Sequence, residues 1–346
     1  MEQAAFKNRV DLVLHRFVGG EVDHLLAIDE GLGPVAEQLQ LATSHGKRLR
    51  AAFCYWGWRA VGQPDSDALI RAAAAMELVH AAAVVHDDLI DRSSRRHGLP
   101  TAHVALRTAV GDGPHPGDAA RSLAMLVGDL LMSWAGQMFT TSGLPAAYLS
   151  RARPLWAVLA RELVAGECLE ILRTGGRPDT ATSLKVIRYK TAKYTVEHPL
   201  HIGGALAGAS QDVQELFTDY GLPLGEAFQL RDDLLGLFGD PGRTGKGNAD
   251  DIAAHRPTAL LALTWQDATE AERQELGRLL GRRDVDEESV LRVREIMHRT
   301  QAPARIERMI TDRVRAATSV LDQTHLPAEA ARALAALAQT ATARRH

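Results

Sequence analysis

His86-Asp87-Asp88-Leu89-Ile90-Asp91 closes an apolar run, Leu69 to Val85, built mostly of Ala, Leu, Val and Met. Those are strong helix formers uninterrupted by Pro or Gly, so the run predicts one long helix with three acids at its end. At 3.6 residues per turn Asp87 and Asp91 lie one above the other, with Asp88 about 100° round the same end. Carboxylates that close repel one another and call for a cation. Hard oxygen ligands clustered without any Cys favour Mg²⁺, which binds one or two carboxylates and takes its other ligands from water and phosphate. The competing reading is an acidic helix end covered by solvent.

Outward from this stretch the chain reads as helix after helix. Ala, Leu, Arg, Glu and Gln dominate and β-branched alternating runs are almost absent, which predicts an all-α fold. Gly and Pro clusters such as Gly31 to Pro34, Gly62 to Pro64 and Gly175 to Pro178 punctuate the segments. With no repeat, linker or composition shift, residues 1–346 are expected to form a single domain. The 346 residues are 46% apolar with a net charge of -3, so bulk charge offers nothing to nucleic acid. Cys54 and Cys168 are too few for a disulfide framework and too far apart for a zinc pattern, which makes the reducing cytosol the expected, cytoplasmic location. The polar N-terminus predicts no secretion. No apolar stretch is expected to reach the roughly 18 residues of a membrane span.

Cations follow or precede the acids wherever they cluster. Ser44-His45-Gly46-Lys47-Arg48-Leu49-Arg50 precedes the long helix and suits a loop wrapping an anion, since Arg offers a planar fork and Lys a mobile charge. Arg92, Arg95, Arg96 and His97 follow the acids; they either neutralise them directly or hold phosphate oxygens that a metal also touches. Tyr189-Lys190-Thr191-Ala192-Lys193-Tyr194 supplies a Lys-Thr pair on a predicted helix. A second helical pattern ends in Gln229-Leu230-Arg231-Asp232-Asp233, then a Gly-rich loop with Lys246, then Arg256 and Thr258.

As an ordered set, GKRLR, HDDLIDRSSRRHGLPTAH, VGDLL, GECLEI, KTAKY, FQLRDDLLGLFGD and TGK resemble the trans-isoprenyl diphosphate synthases of the polyprenyl synthetase family, from about Gly46 to Thr258. The resemblance implies an all-α bundle around a central cavity, usually a homodimer. It also implies condensation of an allylic diphosphate with isopentenyl diphosphate. On it, Asp87, Asp88 and Asp91 bind Mg²⁺ on the allylic diphosphate, and Asp232 and Asp233 bind more, about three ions per site. Lys190, Lys246 and Arg256 would neutralise the same diphosphate; Lys47, Arg50 and His80 would hold isopentenyl diphosphate; Thr191 and Gln229 would lie near the leaving group. Glu167 and Glu170 match partners of the Lys190 region.

Three departures stand out. Gly236 replaces a third Asp in the second motif. Arg95-Arg96-His97-Gly98 stands for Arg-Arg-Gly, so the two arginine positions fall on Arg96 and His97 or on Arg95 and Arg96, according to register. His255-Arg256-Pro257-Thr258 stands for Gly-Lys-x-Thr. Small Ala82 and Ala83 before the first motif leave room for a growing chain, with Val79 beyond and Met76 as a deeper floor, aided by Trp134 or Met138; this predicts a 20-carbon, geranylgeranyl product. The rivals are a class I terpene cyclase, which Asp232-Asp233, Lys47 and Arg50 argue against, and a non-catalytic helical partner subunit.

Overall fold

The computed structural model describes residues 3–112, 114–239, 252, 255–282, 285–322 and 326–342. The helices run α1 (Gln3–Ile28), α2 (Gly33–Ser44), α3 (Leu49–Ala60), α4 (Asp67–Ile90), α5 (Ala102–Val110), α6 (Pro116–Thr140), α7 (Ala146–Arg173) and α8 (Thr180–Val186). A π-helical segment (Ile187–Glu197) leads into α9 (His198–Ala207) and α10 (Gln211–Phe238). Then come α11 (Ala259–Asp267), α12 (Glu270–Leu279), α13 (Glu287–Arg299), α14 (Ala302–Asp322) and α15 (Ala328–Thr342). The all-α expectation holds: among the described residues the strands are one two-residue hairpin pairing Arg95–Arg96 with Leu99–Pro100.

The long predicted helix is α4. Ser66 starts it by accepting the Leu69 N–H at 3.1 Å, satisfying one of the amides a helix start leaves without a partner. Its Ala72 to Ala75 are fully buried, and α6 lies along it. Gly128 of α6 allows the approach: a Cβ there would stand 2.2 Å from the His86 ring. His86 meets the Met125 carbonyl at 3.2 Å and the Asp129 carboxylate at 3.4 Å. One expectation is corrected here. α4 is long and apolar enough to cross a membrane by length and composition, but 72% of that window is buried inside the bundle, as in a core helix.

Two apolar clusters form the interior and α10 runs through both. Its Phe217, Tyr220 and Leu224 join the larger cluster, with Phe53, Tyr55 and Met76; its Leu230, Leu234 and Leu237 join the smaller one, with Val293, Ile306 and Ile310. Buried Glu226 of α10 accepts Arg188 at 2.9 Å and Arg313 of α14 at 2.8 Å, tying the π-helical segment and α14 to α10. Trp56, Trp58 and Trp134 are buried, and Trp156 stacks on Phe139 with centroids 4.4 Å apart.

Candidate active site

A cavity of about 340 Å³ lies between the C-terminal half of α4, the π-helical segment, the second half of α10 and the turn from Gly46 into α3, with α7, α8, the hairpin after α4 and residues 256–258 completing its walls. Asp87 is where the charges meet. Lys190 donates to its Oδ1 at 2.9 Å and Arg96 to its Oδ2 at 3.1 Å. Burial alone would raise the Asp87 carboxyl, but the charges of Lys190, Arg256 and Arg96 outweigh it and hold the carboxyl far below its ordinary range. Asp88 is buried and takes Arg96 in a fork, Nε at 2.9 Å and Nη2 at 2.7 Å. Asp91 accepts from Arg256. Each acid of the first motif thus has a cation at contact distance.

Lys190 also meets Glu167 at 2.9 Å and Glu170, both on α7. Burial disfavours its ammonium, yet Glu170, Asp87 and Glu167 hold it above the ordinary lysine range. Carboxylate oxygens of Asp87, Glu167 and Glu170 lie within 4.8 Å of one another, a spacing that a metal could use. The Lys190 Nζ contacts all three and balances their charge.

The π-turn sorts the side chains of its segment. At about 4.4 residues per turn, Lys190, Thr191, Tyr194 and Thr195 share one face and Lys193 and Glu197 turn away. An ordinary α-turn would swing Lys193 and Glu197 back beside Lys190. Lys193 instead pairs with Glu162 at 2.8 Å and Glu197 at 3.4 Å. Glycines let this segment sit between its neighbours: a Cβ on Gly166 of α7 would stand 2.3 Å from the Lys190 N, and one on Gly225 of α10 would stand 2.5 Å from the Ala192 Cα.

From α10, Asp232 and Asp233 face the same cavity. Thr191 donates to Gln229 Oε1 at 2.8 Å, and Gln229 donates to Asp233 Oδ1 at 2.7 Å. On another wall Arg50 donates to Tyr194 Oη at 2.6 Å and Thr195 Oγ1 at 2.9 Å, with its guanidinium 4.3 Å from the Tyr194 ring centre. His80 Nδ1 lies 3.1 Å from the same Tyr194 Oη. Burial, with the Arg50 and Arg96 charges behind it, keeps His80 well below its ordinary range and therefore neutral. The buried Arg50 Nε has no hydrogen-bond partner.

The hairpin after α4 separates the candidates in Arg95-Arg96-His97. His97 and Gly98 have φ of 51° and 78°, as the two central residues of a type I′ turn require. Neighbours on a strand point to opposite faces, so Arg96 reaches the acids while exposed Arg95 donates to the Gly98 carbonyl at 3.0 Å. Arg96 and His97 line the cavity together with Lys47, Arg50, His80, Lys190, Thr191, Gln229 and Arg256; Arg95 does not. Of the positions read as setting product length, Ala83 lines the cavity, whereas Ala82, Val79 and Met76 are buried in the core behind it, as are Trp134 and Met138. Lys246 lies outside the described residues. The sequence placed Arg48 only within the cation cluster of an anion-wrapping loop and gave no role to Glu77 or Tyr194. Tyr194 stood inside a quoted motif, and its four-residue spacing from Lys190 was the available signal.

Helices delivering acids from two sides into one cation-lined cavity define the class. The chain belongs to the polyprenyl synthetase family, whose model matches residues 35–297, and so to the trans-prenyl diphosphate synthases. It is 32% identical to a geranylgeranyl pyrophosphate synthase of Corynebacterium glutamicum, solved with isoprenyl diphosphate and magnesium, at a TM-score of 0.95 over 100% of both chains. It is 30% identical to the geranylgeranyl diphosphate synthase of Saccharolobus solfataricus, covering 75% of this chain and 74% of that one. It is also 31% identical to the octaprenyl diphosphate synthase of Escherichia coli, covering 68% and 67%.

Proposed function

We propose that the protein is a Mg²⁺-dependent synthase that joins an allylic diphosphate to isopentenyl diphosphate, releases pyrophosphate, and makes a 20-carbon product. The observation that carries this reading is that Asp87 near the end of α4 and Asp232 and Asp233 on α10 line one cavity that also holds Arg50 and His80, while Asp88 and Asp91 stand just behind, paired with the lining residues Arg96 and Arg256. These are hard oxygen donors with neither thiolate nor imidazole among them, which suits Mg²⁺. Bound there, the metal would supply Lewis-acid stabilisation of the charge that develops on a departing diphosphate.

The chain's own residues divide the rest of the work. Lys190, Arg96 and Arg256 already stand against the first acids and offer fixed positive charge to diphosphate oxygens where negative charge develops. Arg50, oriented by Tyr194 and Thr195, and exposed Lys47 hold the second diphosphate. His80, kept neutral, donates or accepts a hydrogen bond there without adding charge. Ala83, Leu163 and Phe228 give the cavity an apolar wall that shields an allylic cation from water. No side-chain nucleophile is required, and the departing pyrophosphate can take the final proton.

Small Ala83 beneath Asp87 supports a product longer than 15 carbons, and two of the relatives above are named for the geranylgeranyl product. Exposed Met125 and Leu126 of α6 and Val164, Ile171 and Leu172 of α7 support a homodimer through these helices. The passage of α10 through both apolar clusters supports one domain, and the free Cys54 and Cys168 suit a cytoplasmic location. The test is incubation of the purified protein with Mg²⁺, isopentenyl diphosphate and each allylic starter, with products sized by mass. A 20-carbon diphosphate is expected. No condensation with any starter refutes the reading, and a different main product refutes only its length.

A further inference from the structure

We propose that Arg48 is a positioning residue for the isopentenyl diphosphate subsite and that Asp11 of α1 holds it; this rests on the function proposed above. Lys47 and Arg50 flank Arg48, and all three line the cavity. Their roles differ. Arg48 is 4% exposed and spends its fork on protein: Nε donates to Asp11 Oδ1 at 2.7 Å and Nη2 to the Thr43 carbonyl of α2 at 2.6 Å, while Nη1 stands 4.0 Å from Glu77 of α4. Its backbone is left-handed, φ 56°, uncommon without glycine and kept only where surrounding contacts enforce it.

Arg48 is also the residue before α3, and its side chain does not cap that helix. Glu77 fills the gap by accepting the Ala51 N–H at 2.9 Å. One network, buried at Arg48 and Glu77 and half-buried at Asp11, therefore joins α1, α2, α3 and α4 at the turn that presents Lys47 and Arg50. Without it the turn loses the contacts that enforce its left-handed residue, so Lys47 loses its placement and Arg50 keeps only its side-chain ties to Tyr194 and Thr195. Asp11 lies on the first helix, ahead of the segment matched by the family model, which begins at residue 35. Lys7 shares Asp11 at 2.5 Å, and together these cations hold the Asp11 carboxyl below its ordinary range against burial.

The experiment compares Michaelis constants for the two substrates in Arg48→Gln and Asp11→Asn, with circular dichroism and melting temperature as folding checks. Arg48→Gln should raise KM for isopentenyl diphosphate about tenfold or more and leave that for the allylic diphosphate within about twofold. Asp11→Asn should move the same constant the same way by less, and Arg48→Lys should fall between. Equal rises in both constants, or no rise in either, in folded variants overturn the proposal. If Arg48→Gln does not fold, Asp11→Asn decides on the same terms. Calorimetry of the unaltered protein with isopentenyl diphosphate separates the two layers: absence of binding removes the functional reading, whereas binding with unmoved variants removes only the role of Arg48.

Discussion

Gly166→Ala tests whether the placement of Lys190 depends on the close approach of α7. The new Cβ would lie 2.3 Å from the Lys190 N, 2.6 Å from its Cα and 2.6 Å from the Tyr189 carbonyl carbon, all backbone atoms. Ordinary contact begins near about 3.5 Å, so the π-helical segment must recede by roughly 1 Å. Overpacking of this kind costs about 1–3 kcal/mol, a loss of a few degrees in Tm for a chain of this size. The same displacement stretches the 2.9 Å contacts of Lys190 with Asp87 and Glu167, and a misplacement of about 1 Å at reacting groups costs on the order of 100-fold in rate. Turnover and a thermal melt on the same preparation read both effects. Gly277→Ala is the control: it lies inside α12 with no atom within 4 Å of the added Cβ, and should stabilise by about 0.5–1 kcal/mol without touching turnover. Wild-type turnover of Gly166→Ala would refute the reasoning, even with a lowered Tm, because it would mean that Lys190 tolerates displacement.

Asp88→Ala and Asp232→Ala should each lower turnover by about 100-fold or more, as loss of a preorganised charge stabiliser does, and excess chelator should act likewise; near-normal rates in either variant would remove the carboxylate mechanism. Ala83→Phe places a ring on the cavity wall one turn below Asp87 and should shift the main product to 15 carbons or fewer, read by mass; an active variant with unchanged products would route the chain past another face. His97→Ala should raise KM for isopentenyl diphosphate several-fold, because His97 lines the same cavity as Lys47 and Arg50; an unmoved constant would show that His97 belongs to the turn alone. Stability should fall as pH drops from about 6.5 towards 5. His80, His198 and His201 are held below their ordinary range by burial, so the unfolded chain binds protons first. Glu167, raised by burial, opposes this with one group against five, since burial lowers His103 and His255 as well, and the depressed Asp87 withdraws its contribution only below about pH 4. A Tm unchanged between pH 7.5 and 5 would contradict this.

What could be read from residues alone was local or ordered along the chain. Uninterrupted Ala, Leu and Val from Leu69 determine a helix because propensity and the absence of breakers act within a few turns, and the 3.6-residue period then places Asp87 above Asp91. The order of the acid and cation motifs carried the family. Tertiary structure decided the rest, because it depends on what neighbouring elements allow. The same α-period that stacked the aspartates would have put Lys193 and Glu197 beside Lys190. Gly166 and Gly225 close on the segment from both sides, and the π-turn there sends Lys193 to Glu162 and Glu197 to Lys193 and Thr218 instead. Helical spacing likewise placed Met76 and Val79 along the Asp87 face, but the helices packed on α4 bury them in the core and leave Ala83 on the cavity wall. The register of Arg95, Arg96 and His97 needed the hairpin, since strand pairing rather than sequence order chooses which side chain turns towards the acids. Arg48 was hidden for the same reason: its partners are Asp11, Thr43 and Glu77, and no periodicity in the chain relates a left-handed turn to three helices that meet only when folded.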